Sequence, residues 1–196
     1  MKIYLIRHGE TLENVDSRLM GRTHGVLSPL GEEQAKKTGD YLKGENIQMI
    51  YSSPLNRCLD TANYINQYLN LPLQAHDLLV ERDFGAFTNA KPENVSFDML
   101  DKDSEENRSA GVEALSSVQH RVRDFLTEIF QKHPHENLVV VTHNNPIRFF
   151  IGEFLDKTYE QVLKEYKVRN CSINVFETND GKNYQQIMLD NTQHLG

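Results

Sequence analysis

Two histidines of this chain follow the same kind of segment. His8 comes after the apolar, β-branched run Ile3-Tyr4-Leu5-Ile6 and Arg7, and His143 comes after Leu138-Val139-Val140-Val141-Thr142. Each run reads as a buried strand, so each histidine stands at a strand's carboxyl end, the edge where ligands bind in open α/β sheets. Arg7 adjoins the first histidine, and Arg57 falls in the first turn of a helix that follows a third apolar run, Gln48-Met49-Ile50-Tyr51-Ser52. A guanidinium fork matches the oxygens of a phosphoryl group, so two arginines at one edge predict a phosphate pocket. Neighbouring positive charge lowers an imidazole's pKa and keeps it a neutral nucleophile near pH 7. A bound phosphate dianion beside Glu81 would favour the protonated carboxyl, which could then give its proton to a leaving group. The set His8, Arg7, Arg57, His143 and Glu81 is complete for phosphoryl transfer through a phosphohistidine. No metal or cofactor is expected, because the arginines and His143 supply the positive charge.

The elements that must position these groups alternate strand with helix. Ser28-Pro29, Ser53-Pro54 and Asn145-Pro146 each combine a capping side chain with a proline suited to a first helical turn, so three helices are predicted to open there. The first follows a glycine-punctuated loop through Asn14, Gly21, Arg22, His24 and Gly25. A weak strand is expected at Leu73 to His76, and an amphipathic helix from Val112 to Phe130 carries Leu115, Val118, Val122, Phe125 and Ile129 on one face. His133-Pro134-His135 reads as a helix end and turn, since no third metal ligand accompanies it. Asn170 to Thr178 and Tyr184 to Leu189 are predicted to close the sheet as a hairpin around Asn179-Asp180-Gly181. Residues 86 to 111 show neither period, and the acidic stretch Asp98 to Glu106 reads as a solvated face of an insertion over the sheet edge.

With 196 residues, 38% apolar and 25% charged, the composition suits a single globular domain over 1–196. A formal charge of −7 argues against nucleic-acid and anionic-membrane surfaces, which need a broad basic face. Cys58 and Cys171 have no metal or redox spacing and read as small buried thiols of a reducing compartment. The absence of a long apolar run and of a leader-like segment leads to the expectation of a soluble, cytoplasmic protein, monomeric or homodimeric.

Arg7-His8-Gly9-Glu10-Thr11, then Asn14, Gly21-Arg22, Leu27-Ser28-Pro29-Leu30-Gly31, Ser52-Ser53-Pro54-Leu55-Asn56-Arg57, Glu81-Arg82-Asp83-Phe84-Gly85 and Val141-Thr142-His143 stand in one order across nearly the whole chain. Together they resemble the histidine phosphatase superfamily, in its phosphoglycerate-mutase-like branch. The resemblance implies a three-layer α/β/α fold with a central, mostly parallel sheet and a helical lid insertion at about 86–111. It implies His8 as the nucleophile, Arg7, Arg57 and His143 as phosphoryl ligands, and Glu81 as general acid and then base. Asn14 and Arg22 would line the substrate side, with Thr23 and Asn144 also at the phosphate. Two departures stand out: Asn144-Asn145 replaces the usual glycines, so Asn145 would offer its side chain, and Ala86-Phe87-Thr88-Asn89-Ala90 gives an unusual lid. The shorter span from Glu81 to His143 favours a phosphatase of small phosphorylated metabolites over a bisphosphoglycerate-dependent mutase. A phosphate-binding relative without turnover is the third reading.

Overall fold

The computed structural model describes residues 1–196, the side chains of Pro92, Phe97 and Asp98 excepted. Its strands are β1 (Lys2–Arg7), β2 (Met49–Ser52), β3 (Leu73–Ala75), β4 (Leu138–Thr142), β5 (Ile173–Thr178) and β6 (Tyr184–Asn191). Its helices are α1 (Leu12–Val15), α2 (Pro29–Leu42), α3 (Asn56–Leu69), α4 (Phe97–Leu100), α5 (Glu105–Ser109), α6 (Leu115–Lys132), α7 (Asn144–Leu155) and α8 (Tyr159–Glu165). The strands form one sheet in the order β3-β2-β4-β1-β5-β6, with β3, β2, β4 and β1 parallel and β5 and β6 each antiparallel to its inner neighbour.

Period-two alternation builds the layers. Ile3 and Leu5 of β1 and Leu138 and Val140 of β4 face α6 and α7, against Val122, Phe125, Ile147 and Phe150. Tyr4, Ile6, Val139 and Val141 face the opposite side, against Leu42 of α2 and Cys58, Ala62 and Ile65 of α3. The central strands are therefore buried on both faces, as a parallel sheet requires, which is why they read as continuous apolar runs. The mostly parallel sheet between helical layers is the architecture expected from the sequence. Among the described residues, no helix is long and apolar enough to cross a membrane.

Helix starts follow the sequence signals in part. Ser28 caps α2 as expected, its Oγ accepting the Gly31 N–H at 3.0 Å. At Ser53-Pro54 the helix is delayed until Asn56, with Leu55 at the N-cap and no side-chain cap, while the Ser53 hydroxyl meets His143 Nε2 at 2.8 Å and the Leu55 N–H at 3.4 Å. Arg57 still falls in the first turn. At α7 the N-cap is His143 itself, and Pro146 sits inside the first turn, where its missing N–H has no helical acceptor to lose. Helix α6 begins at Leu115 rather than Val112, since Val112 pairs with Phe84 and the Glu113 N–H donates to Asp83 O at 2.9 Å. The four-residue α1, too short for a periodic signal, replaces part of the loop expected there. Thr11 and Asn14 hold it through a reciprocal capping box.

The segment 86–111 contains short helical turns, α4 and α5, and shares a small apolar cluster, Leu19, Phe84, Val95, Leu100 and Val112, separate from the two main cores. Gly85 opens it with φ +51°, and a Cβ there would lie 2.1 Å from Ala110 O, so only glycine fits. Arg82 pegs the segment down, donating to Glu113 O at 2.8 Å, to Leu100 O at 2.5 Å and to Asp101 at 2.5 Å. The expectation that Asp98 to Glu106 is merely a solvated face is corrected at Asp101, which neutralises this buried arginine. Asp103 and Arg108 do pair in the open, and the side chain of Asp98 lies outside the described residues.

Candidate active site

The pairing of β1 with β4 sets Arg7 opposite Thr142, so the next residues, His8 and His143, leave the sheet side by side. The His8 N–H donates to Thr142 O at 3.0 Å, and the two rings meet edge-on with centroids 5.3 Å apart. His8 Nδ1 lies 2.8 Å from Gly9 O. A carbonyl only accepts, so the proton is assigned to Nδ1, and Nε2 carries the free lone pair. Burial, followed by the charges of Arg57 and Arg7, pushes the His8 pKa well below its ordinary 6.5. His143 is lowered in the same way, by burial first and then by Arg57 and His8. Desolvation therefore outweighs the arginines, whereas the sequence alone points to the arginines as the cause. Both imidazoles are neutral in the free protein.

His8 opens onto a cavity of about 340 Å³. Seven of the residues expected at the site line it: Arg7, His8, Asn14, Arg57, Glu81, Asn144 and Asn145. Arg7 donates to Val168 O at 2.7 Å, while its buried Nε has no partner among the described residues. Arg57 is 1% exposed and is aimed by the chain around it, donating to His143 Nδ1 at 3.2 Å, Gly21 O at 2.9 Å, His24 O at 3.3 Å and Thr23 O. Neither arginine has a carboxylate within ion-pair distance among the described residues, in contrast to Arg82 with Asp101. Glu81 is buried, although it stands in a charged run, and its Oε1 accepts the Arg82 N–H at 2.9 Å and the Asn145 N–H at 3.3 Å.

Three expected residues lie elsewhere. His143 is fully buried behind the wall: its Nδ1 accepts from Arg57, so Nε2 bears the proton and donates to Ser53 Oγ at 2.8 Å. Arg22 is not among the residues lining the cavity and instead pairs with Glu113 and Asp83, at 3.3 and 3.9 Å, the carboxylates that flank the segment 86–111. The Thr23 hydroxyl is tied to Met20 O at 2.7 Å, and the residue reaches the site only through its carbonyl on Arg57. Asn145 does line the cavity, but its side-chain oxygen is already taken, since the Tyr159 hydroxyl donates to its Oδ1 at 2.6 Å, and its backbone N–H serves Glu81. Asn144 Oδ1 accepts from Arg148 Nε at 3.1 Å.

Arg148, Tyr159, Arg82 and Met20 line the cavity without having been singled out in the sequence. Arg148 did leave a signal, one cation inside the apolar run Pro146 to Ile151. Tyr159 left none. The two cysteines are free and buried, and burial pushes the Cys171 thiol up to about 12. Among the described residues, no three His, Cys, Asp or Glu side chains are grouped as a metal site.

A neutral imidazole with a free Nε2, unpaired guanidinium donors and a carboxyl on one cavity wall can receive, charge-balance and protonate the parts of a phosphoryl ester. Residues 3–191 match the histidine phosphatase superfamily (branch 1). Phosphoserine phosphatase 1 of Hydrogenobacter thermophilus is 31% identical over 202 positions, covering 100% of this chain and 95% of its own. The uncharacterized phosphatase PhoE of Bacillus subtilis is 32% identical over 151 positions, 77% of this chain and 76% of its own. Among solved structures, phosphoserine phosphatase from Entamoeba histolytica in complex with 3-phosphoglyceric acid has a TM-score of 0.85 at 26% identity, covering 99% of this chain and 98% of its own. In sequence motifs, in sheet topology and in these relatives, this chain belongs to the histidine phosphatase superfamily.

Proposed function

We propose that the protein is a phosphomonoesterase of small metabolites that works through a phosphohistidine on His8, without a metal. The observation that carries this reading is the His8 tautomer: Nδ1–H is held by Gly9 O, and the unprotonated Nε2 shares a cavity with Arg7, Arg57 and Glu81. Nε2 attacks phosphorus as the bond to the ester oxygen breaks, and the Glu81 carboxyl gives its proton to that oxygen, releasing the alcohol. Water then attacks the phosphohistidine, passes a proton to the Glu81 carboxylate and displaces Nε2, releasing phosphate. Arg7 and Arg57 balance the charge on the phosphoryl oxygens throughout. His143 accepts from Arg57 Nε and so holds that guanidinium in place at the cavity wall. The names of the relatives, phosphatases of phosphoserine among them, support hydrolysis as the outcome.

The test is a panel of phosphomonoesters in EDTA-treated buffer, with an acid-labile phosphoenzyme trapped by rapid quench. Turnover and a labelled enzyme are expected, and His8→Ala should abolish both without changing the unfolding midpoint by more than a few degrees. Conversion of 3- to 2-phosphoglycerate stimulated by 2,3-bisphosphoglycerate, in place of phosphate release, would replace the reading with a mutase. Phosphate binding without any phosphoenzyme would replace it with a non-enzymatic relative.

A further inference from the structure

Arg148 is 8% exposed and sits on α7 among Ile147, Phe149 and Phe150, yet no carboxylate among the described residues pairs with it. Its Nε donates to Asn144 Oδ1 at 3.1 Å, and one terminal nitrogen ties down the end of α8 through Val162 O at 3.4 Å and Tyr166 O at 3.0 Å. The other terminal nitrogen has no partner among the described residues. The side chain lines both the His8 cavity and an adjoining one of about 570 Å³, and Arg7 and Asn144 are common to the two. A buried guanidinium without a counter-charge is costly, and at a ligand cavity the missing anion is most simply the ligand's own.

Charge balance says what kind of anion. Arg82 is neutralised by Asp101, which leaves Arg7, Arg57 and Arg148 as buried cations around the cavity with no carboxylate partner among the described residues. A phosphoryl dianion answers two of these three charges. Glu81 carries no charge at the moment it serves as proton donor, and both imidazoles are neutral. One positive charge is left, which a single carboxylate cancels and a second phosphate overshoots.

We propose that Arg148 is a specificity-determining residue that holds a carboxylate on the leaving alcohol, and that the favoured substrates are short phosphomonoesters with one such carboxylate. This rests on the hydrolytic reading above, and the experiment separates the two. The kcat/KM values of O-phosphoserine and O-phosphoethanolamine are compared, then those of 3-phosphoglycerate and glycerol 1-phosphate, each pair differing at the carboxylate. The wild-type ratio is expected to favour the acid by about tenfold or more, the scale of one charge-assisted hydrogen bond. In Arg148→Met the ratio should collapse toward one, and Arg148→Lys should retain part of it. Because the readout is a ratio, any general loss from a loosened α8 cancels. 2,3-Bisphosphoglycerate should be a poorer substrate than 3-phosphoglycerate. A wild-type ratio near one, or a ratio unchanged in Arg148→Met, overturns the assignment and leaves hydrolysis standing. Absence of both turnover and phosphoenzyme with every ester overturns the hydrolytic reading itself.

Discussion

Replacing Glu81 with glutamine removes a proton donor while keeping nearly everything else. In the structure Oε1 accepts the N–H groups of Arg82 and Asn145, at 2.9 and 3.3 Å. The amide oxygen of glutamine can accept the same two bonds, so the side-chain NH₂ takes the remaining position, facing the reacting ester. Shape and backbone ties persist; the transferable proton and the charge do not. General acid catalysis contributes about 10²- to 10⁴-fold when the leaving oxygen is a poor one. An alkyl alkoxide needs that proton, and p-nitrophenolate does not. The quantity to measure is kcat/KM, which reports the step up to alcohol release and is blind to later hydrolysis of the phosphohistidine. For an alkyl phosphate Glu81→Gln should lower kcat/KM by about 10²-fold or more, while p-nitrophenyl phosphate should lose under tenfold. The change in charge beside Arg7 and Arg57 acts on both substrates and divides out. With the aryl ester the variant should also show a burst of one nitrophenolate per site, because water lacks its base in the second step. Equal losses of kcat/KM on the two esters would refute the acid assignment.

Two further outcomes follow from burial and backbone geometry. Since His8 and His143 have native pKa values far below the unfolded value of about 6.5, the unfolded chain binds protons that the native state refuses. Stability should therefore be level above about pH 7 and fall as the pH drops through 6.5, by about 1.4 kcal/mol per imidazole for each further unit. Denaturant unfolding at pH 7.5 and 5.5 measures this, His8→Ala should make the loss smaller, and equal stability at both pH values would contradict the assigned protonation states. Gly85→Ala forces a side chain into positive φ and against Ala110 O, at a cost of about 2 kcal/mol or more. Limited proteolysis should then cut between residues 86 and 111 first, whereas a protease pattern like the wild type's would show that this turn does not anchor the segment.

By itself the sequence determined the inner parallel strands and the edge they end on, because a doubly buried parallel strand must be continuously apolar and the glycine or polar residue after it marks the edge, whereas the antiparallel strands shifted by two or three residues at one end. It also singled out Arg7, His8, Arg57 and Glu81, which the fold brings to one cavity wall, through residue types that local spacing makes readable. Tertiary structure decided the rest. Whether His143 faces a ligand or stands behind Arg57 depends on Ser53 and Arg57, both more than 80 positions away in the chain. Arg22 is drawn off the cavity by Glu113 and Asp83, a competition between charges that no motif encodes. Arg148 could be noticed as an odd cation in an apolar helix, but that it lacks a counter-ion among the described residues at the cavity wall depends on which distant carboxylates come near, and only the folded chain settles that.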